Sequence, residues 1–175
     1  GSVADAYGGR EGGAVKHSEV ARKHDPIPLA VQVACSTSNL GVVSTMSTSF
    51  YPPYLLARLC STVDSIAQGR FGWNIVSSAE DRAAQNFGLE GLPEHDERYN
   101  VAEEYFDVVN QLWDSWEADA VVMDRETHTF ADFNKVHTID FDGKYFKSCG
   151  PLNKVPYPQQ RPALLHAGAS PTGRP

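Results

Sequence analysis

The C-terminal stretch of the sequence joins an apolar segment to a loop rich in glycine and small residues. Residues 163–167 (ALLHA) have the length and composition of a short strand, and residues 168–173 (GASPTG) follow directly. Such a loop leaves backbone N–H groups free, and the Ser170 hydroxyl adds a donor, so the junction is suited to phosphate. A plain turn accounts for the same residues. A serine hydrolase is disfavoured, because its nucleophile turn needs glycine two positions after the serine, where Thr172 stands.

A second group of candidate residues is HDERY, at positions 95–99. His95 and Tyr99 lie just before a predicted helix, and two residues four apart at a helix entrance can point the same way. Both side chains can hydrogen-bond a polar ligand edge, and tyrosine can also stack on a planar ring. A surface loop with an ion pair between Arg98 and an acid is the alternative. A zinc site is not indicated, because no second histidine lies three to five residues away.

Polar side chains also recur near the ends of the predicted strands. A polar group on a buried parallel strand needs a partner, so several together indicate a binding site. A core position for Trp73 and a helix cap formed by two serines explain part of this pattern without a ligand. If Asp5 ends a strand, it completes a polar ring drawn from four strand ends. The residues concerned are Asp5, Thr45, Ser47, Thr48, Asn74, Ser77 and Ser78.

The order of elements in the first half of the chain sets the predicted fold. A mostly apolar helix over residues 28–35 precedes a β-branched strand over residues 40–48, and a helix from Pro53, ended by Gly69, precedes a strand over residues 71–77. Helices and strands that alternate with short connections imply parallel strands and crossover helices. The sequence therefore predicts an α/β fold.

The second half of the chain is predicted to be less regular. Residues 79–99 are polar and irregular, and a long amphipathic helix follows over residues 100–116, with Asn100 and Glu103 as a capping box. The acidic residues of this helix are predicted to form a solvated face. Residues 124–161 have the character of an insertion of short extended pieces, with a turn at Asp142-Gly143.

The composition and charge of the chain exclude several classes of function. The chain has 175 residues, with 15 basic and 22 acidic side chains and a formal charge of −7. A polyanion such as nucleic acid or an anionic membrane would repel it. No apolar run approaches the roughly 20 residues of a membrane span, and no signal peptide is recognised. The three cysteines have no close pair, which favours a reducing, cytoplasmic setting over a disulfide scaffold or a cysteine-rich metal site.

Several motifs together resemble one enzyme family. They follow in order along nearly the whole chain: GRFGWNIVSS at 69–78, NFG at 86–88, HDERY at 95–99, LWDSW at 112–116, DAVV at 119–122, KVH at 135–137, GKYF at 143–146, GPLN at 150–153, and the segment 161–174. This set resembles the FMN-dependent monooxygenases of the bacterial-luciferase superfamily. The branch it is most similar to contains the nitrilotriacetate, dibenzothiophene-sulfone and long-chain alkane monooxygenases.

The resemblance implies a (β/α)8 TIM barrel of the luciferase-like type. It also implies reduced FMN as cofactor, with O2 as the oxidant that oxygenates a small organic substrate, and a separate NAD(P)H-dependent flavin reductase as the source of reduced flavin. It allows a homo-oligomer and implies no metal, nucleic acid or membrane partner. No residue is identified as a covalent nucleophile, and the protein's part is to hold the flavin ring, exclude water and position the substrate.

The resemblance further assigns flavin contacts residue by residue. Ser170 would bind the flavin phosphate, with Gly173 nearby, and His95 and Tyr99 would also contact FMN. Asp5 matches the acidic residue that ends the second barrel strand. A threonine on the next strand contacts the flavin in relatives, and Thr45 and Thr48 are both candidates for it. The set of predicted cofactor contacts is Asp5, Thr45, Thr48, His95, Tyr99, Ser170 and Gly173.

Length sets a further expectation. A complete barrel takes about 250 residues, so residues 1–175 are expected to form a single partial domain. This domain would run from the end of strand two to the phosphate loop after strand five, with the insertion at 124–161 inside it. The alternative is an inactive barrel remnant, or an interaction module without catalysis.

Overall fold

The computed structural model describes residues 24–78, 81–154 and 159–166. These ranges contain four α-helices, one 3-10 helix and seven strands. In chain order they are α1 (Pro26–Cys35), β1 (Val42–Ser47), α2 (Pro53–Ile66), β2 (Phe71–Val76), α3 (Asp81–Asn86), α4 (His95–Asp114), β3 (Val121–Asp124), β4 (Thr129–Ala131), the 3-10 helix (Phe133–Lys135), β5 (Phe141–Asp142), β6 (Lys147–Ser148) and β7 (Ala163–His166). No helix within these ranges is long and apolar enough to cross a bilayer.

The main sheet is parallel and has the order β1-β2-β7. β1 pairs with β2 from Val42↔Phe71 to Ser47↔Val76, and β2 pairs with β7 from Gly72↔Ala163 to Ile75↔His166. Helix α1 precedes β1, and α2 forms the crossover from β1 to β2. The predicted α/β architecture with parallel strands is confirmed.

One side of this sheet is packed against helices α1, α2 and α4. Its largest fully buried side chains include Trp73 and Met46 from the strands and Leu56, Tyr105 and Trp113 from the helices. The indole N–H groups of both tryptophans are hydrogen-bonded. Trp73 Nε1 donates to the Met46 carbonyl at 3.1 Å, and Trp113 Nε1 donates to the Ala57 carbonyl at 3.2 Å. The core position predicted as the alternative for Trp73 is therefore confirmed.

The prediction that residues 79–99 are irregular is wrong in two places. Helix α3 lies inside this range, and α4 begins at His95, five residues before the predicted start at Asn100. Glu94 occupies the N-cap position, and the Arg98 amide donates to its carbonyl at 3.0 Å. Asn100 does not cap a helix; its amide Nδ2 lies 3.5 Å from Glu97 Oε2, at the outer limit of a hydrogen bond.

The chain between β2 and β7 forms two small antiparallel hairpins, β3–β4 and β5–β6. The Asp142-Gly143 turn falls inside the second hairpin, as predicted. The predicted solvated acidic face of the long helix is wrong for Glu104, which accepts three backbone N–H bonds from this hairpin. Asp114 is exposed, as predicted, and pairs with Arg161 at the surface.

A buried carboxyl group joins α2 to the start of β2. Asp64 has no exposed surface, and its Oδ1 accepts hydrogen bonds from the Phe71 amide at 3.3 Å and from Gln159 Nε2 at 2.6 Å. The second oxygen, Oδ2, has no partner among the described residues. Desolvation raises the pKa of Asp64 by more than the hydrogen bonds from Gln159 and Phe71 lower it. The carboxyl group is therefore harder to ionise in the folded chain than in water.

Asp64→Asn is expected to remove a pH-dependent part of the stability. The folded-state pKa lies above the unfolded value of about 3.9, so this contribution is complete below that value and is lost as the pH rises through the folded-state pKa. In urea denaturation at a series of pH values above about 4, the free energy of unfolding of the wild type should fall relative to that of the variant. Parallel pH profiles for the two proteins would contradict the assignment.

Candidate functional site

The carboxyl ends of β1, β2 and β7 lie at one edge of the sheet, because all three strands are parallel. β1 ends at Ser47 and is followed by Thr48, and β2 is followed by Ser77 and Ser78. The start of α4 lies at the same edge, since Arg98 Nη1 donates to the Ser78 carbonyl at 2.8 Å. In parallel α/β folds this edge is where ligands bind.

Hydroxyl groups from the two strand ends meet at this edge. The Ser47 and Ser78 Oγ atoms are 2.8 Å apart, and Ser47 Oγ also accepts from the Ser49 amide at 3.2 Å. Thr48 is buried; its amide donates to the Val76 carbonyl at 2.9 Å, and its hydroxyl lies 3.5 Å from the same oxygen. These bonds hold the end of β1 against the end of β2.

Thr45 lies on the face of the sheet away from the helices. A Cβ added to Gly72 would lie 3.3 Å from Val43 Cγ2 and 3.4 Å from Ala163 Cβ, so these three residues share one face. Two residues further on, Thr45 and Asn74 share that face, and Asn74 Nδ2 donates to Thr45 Oγ1 at 3.1 Å. Val43 is 49% exposed on this side. In a (β/α)8 barrel the face away from the helices is the interior, and here this face presents a polar pair half-way along the strands.

The register of β7 places His166 on the helix-packed side of the sheet rather than on the opposite face. His166 pairs with Ile75, which pairs with Met46. Met46 is fully buried on the helix-packed side. Because paired residues of parallel strands project to the same face, the His166 position belongs to the helix side of the sheet.

His95 and Tyr99 lie in the first two turns of α4 rather than in a loop. Positions four residues apart share a face of a helix, so the backbone of α4 places these two positions on one face, as predicted. Tyr99 is half-buried. Six residues later, Tyr105 donates its hydroxyl to the Tyr51 carbonyl at 2.8 Å, which fixes α4 to the loop after β1.

Arg98 is a site residue that the sequence reasoning assigned only to a surface ion pair. In the structure its guanidinium donates to the backbone carbonyl of Ser78. Its Nε is buried and has no acceptor among the described residues. Its position between His95 and Tyr99 in HDERY was the available signal, but the neighbouring strand end was not visible in the sequence.

The remaining predicted contacts, Asp5, Ser170 and Gly173, lie outside the described residues. β7 nevertheless runs parallel to β2, so the chain leaves His166 at the same edge as Ser78. Within residues 24–78, 81–154 and 159–166, no three histidine, cysteine or acidic side chains are grouped so as to hold a metal ion.

The sequence matches the family described as "Luciferase-like monooxygenase" over residues 3–175. It is 40% identical over 174 residues to the dibenzothiophene-sulfone monooxygenase of Rhodococcus erythropolis, covering 99% of this chain and 38% of that protein. It is also 40% identical over 161 residues to nitrilotriacetate monooxygenase component A of Aminobacter aminovorans, covering 92% of this chain and 36% of that protein. The chain therefore spans less than two-fifths of the length of these curated relatives.

A solved structure supports the same family assignment. The crystal structure of a riboflavin lyase, determined with modified FMN and its substrate riboflavin, superimposes with a TM-score of 0.87 at 35% identity, covering 97% of this chain and 38% of that one. The motif-based resemblance is thus confirmed by both sequence and fold, and the chain belongs to the luciferase-like monooxygenase family.

Proposed function

We propose that this chain contributes the FMN-binding edge of a flavin-dependent monooxygenase that uses reduced FMN and O2 to oxygenate a small organic substrate. The proposal concerns the activity of the whole protein. Family membership supports the use of flavin. The polar groups gathered at the carboxyl edge of the sheet support this edge as the place where the flavin binds.

The observation that carries the proposal is the unmatched Arg98 Nε–H. A buried carboxyl group can resolve such a mismatch by taking up a proton, but the guanidinium does not lose one within proteins. The donor is therefore best matched by an anionic acceptor. The phosphate of FMN is such an acceptor, and the serine hydroxyls of the same edge are suited to the flavin's polar groups. The residues present thus fit the cofactor.

The chain's own residues would bind and orient the cofactor. Thr45 faces the interior, and its hydroxyl accepts from Asn74 while keeping a proton to donate, so we assign it the flavin contact ahead of Thr48. Tyr99 and His95 would contact FMN from α4. When bound, reduced FMN supplies the reaction with O2, and the protein supplies orientation and exclusion of water.

The other predicted contacts complete the proposed site. Ser170 would hold the phosphate, with Gly173 beside it, and Asp5 would contact the flavin from the preceding strand. We further propose that residues 1–175 form one luciferase-like unit and that residues 124–161 are an insertion. In support, two hairpins lie between β2 and β7, which are neighbours in the sheet.

A separate flavin reductase is the proposed partner. The name "component A" of the Aminobacter relative indicates a system of more than one component, and this supports the delivery of reduced flavin by a second protein. The relatives named above differ in substrate, so the proposal for this protein stays at the level of a small organic molecule.

Ser170→Asp is expected to weaken FMN binding about tenfold or more, because a carboxylate beside a phosphate adds like-charge repulsion of a few kcal/mol. Calorimetric titration of the chain with oxidised FMN, and anaerobically with reduced FMN, measures the effect. Riboflavin, which lacks the phosphate, should bind both forms equally. Ser38→Asp, which adds the same charge before the amino end of β1, is the control. No FMN binding by the wild type would instead support an inactive remnant.

Tyr99→Ala is expected to weaken FMN binding by about 1–2 kcal/mol, the scale of a lost hydrogen bond or stacking contact. Tyr99→Phe separates these contributions, because it keeps the ring and removes only the hydroxyl. Phe133→Ala removes an aromatic side chain that is 80% exposed and is the control. Equal FMN affinities for wild type and Tyr99→Ala, with both proteins folded by circular dichroism, would remove Tyr99 from the site.

A further inference from the structure

The turn of the β5–β6 hairpin encloses a carboxylate of helix α4. Glu104 Oε1 accepts from the backbone amides of Tyr145 at 2.7 Å and Phe146 at 2.8 Å. Glu104 Oε2 accepts from the Lys144 amide at 3.0 Å. Three successive N–H groups that converge on one anion form a strong, charge-assisted anchor.

A second carboxylate of the same helix binds the side chains of this turn. Glu97 Oε1 accepts from the Tyr145 hydroxyl at 2.6 Å and from Lys144 Nζ at 3.2 Å. Glu97 and Glu104 are seven residues apart, which places them on one face of α4, separated by about 10.5 Å along its axis. We call residues 143–146 together with Glu97 and Glu104 the hairpin clamp.

Both carboxylates of the hairpin clamp are held in their charged form. Partial desolvation raises the pKa of Glu104, but the amides of Phe146, Tyr145 and Lys144 more than offset it, so that pKa lies below its usual value. The Tyr145 hydroxyl and then Lys144 lower the pKa of Glu97. The hairpin clamp is therefore charged, and intact, near neutral pH.

Gly143 is required for this close approach. A Cβ at this position would lie 2.6 Å from Phe141 Cε1 and closer still to the Glu104 carboxylate. The Phe146 ring also packs edge-on against the buried Tyr105 ring, with centroids 5.4 Å apart. The turn is thus joined to α4 by both polar and apolar contacts.

The two carboxylates of the hairpin clamp lie before and after the part of α4 that reaches the strand edge. Tyr99 lies between Glu97 and Glu104 in sequence, and it is about 200° around the helix from Glu97. Arg98, between them, donates to the Ser78 carbonyl. The turn therefore holds one face of the helix, while Arg98, on another face, reaches the end of β2.

We propose that Glu104 is a positioning residue for flavin binding: through the hairpin clamp it fixes the register of α4, and with it the placement of Tyr99 at the carboxyl edge of the sheet. This inference rests on the proposed function. It assigns to the turn at residues 143–146 a part in cofactor affinity, although the turn itself does not touch the cofactor.

Two variants loosen the hairpin clamp from opposite sides. Glu104→Gln replaces one acceptor oxygen by an NH2 group that faces backbone donors, and Gly143→Ala inserts a Cβ into the enclosed carboxylate. The controls are Glu103→Gln, the same change at the neighbouring exposed residue, and Gly41→Ala, where the nearest atom to an added Cβ is the Arg70 carbonyl oxygen at 3.8 Å. All are titrated with FMN at a temperature where circular dichroism shows them folded.

The expected result is a loss of FMN affinity of about five- to tenfold for each clamp variant, in the range of one impaired charge-assisted hydrogen bond. Both controls should bind as the wild type does. A purely structural role would weaken FMN binding independently of Tyr99. If Glu104 acts through Tyr99, the loss caused by Glu104→Gln should be at least about threefold smaller in a Tyr99→Ala background, which lacks both the ring and the hydroxyl.

Each other outcome overturns the inference. Wild-type affinity in Glu104→Gln, or losses that multiply fully with that of Tyr99→Ala, would show that the hairpin clamp does not position Tyr99. Those results leave the proposed function standing if the wild type binds FMN and Tyr99→Ala binds it less well. Absence of FMN binding by the wild type would refute the proposed function, and the inference with it.

Discussion

The parallel pairing of β2 with β1 on one side and β7 on the other is the constraint on which the remaining structure depends. Because all three strands run the same way, their carboxyl ends share one edge, and residues more than 90 positions apart in sequence leave the sheet at neighbouring points. Trp73 at the centre of β2 is fully buried and donates to the backbone of β1. Displacing β2 would therefore disturb both the core and the candidate site.

Helix α4 links that core to the edge. Its apolar side contributes Tyr105 and Trp113 to the fully buried cluster, and its first turns carry Arg98 to the end of β2. On another face it holds the β5–β6 turn through Glu97 and Glu104. One helix thus makes three kinds of contact, so its position is determined by apolar packing, by a bond to the strand end and by charge-assisted bonds.

Among the described residues, two buried polar atoms have no partner, Asp64 Oδ2 and Arg98 Nε. Desolvation raises the pKa of Asp64, beside the start of β2, so this carboxyl group takes up a proton more readily than it would in water. Arg98, at the opposite edge, cannot change its charge, so its unmatched N–H persists until an acceptor is present. The first group can lower its desolvation cost by taking up a proton, whereas the second requires an acceptor.

The alternation of helices and strands was predictable, because apolar runs, proline at helix starts and glycine at helix ends are local signals. The predicted boundaries of β1, α2 and β2 lie within a few residues of those observed. The start of α4 was not predictable in this way. HDERY is polar, and its helical state depends on bonds to Ser78 and to the β5–β6 turn, which are distant in sequence.

The same distinction between local signals and contacts of distant segments applies to the candidate site. The sequence by itself determined the parallel α/β class and, through its motifs, the family; it also singled out Thr45, Thr48, His95 and Tyr99 as candidate residues. Only the tertiary structure decided that Thr45 faces the interior, that Arg98 reaches a strand end, that His166 lies on the helix side and that Glu104 is enclosed by backbone amides. These facts depend on register and on contacts between distant segments, whereas residue spacing reports only on neighbours along the chain.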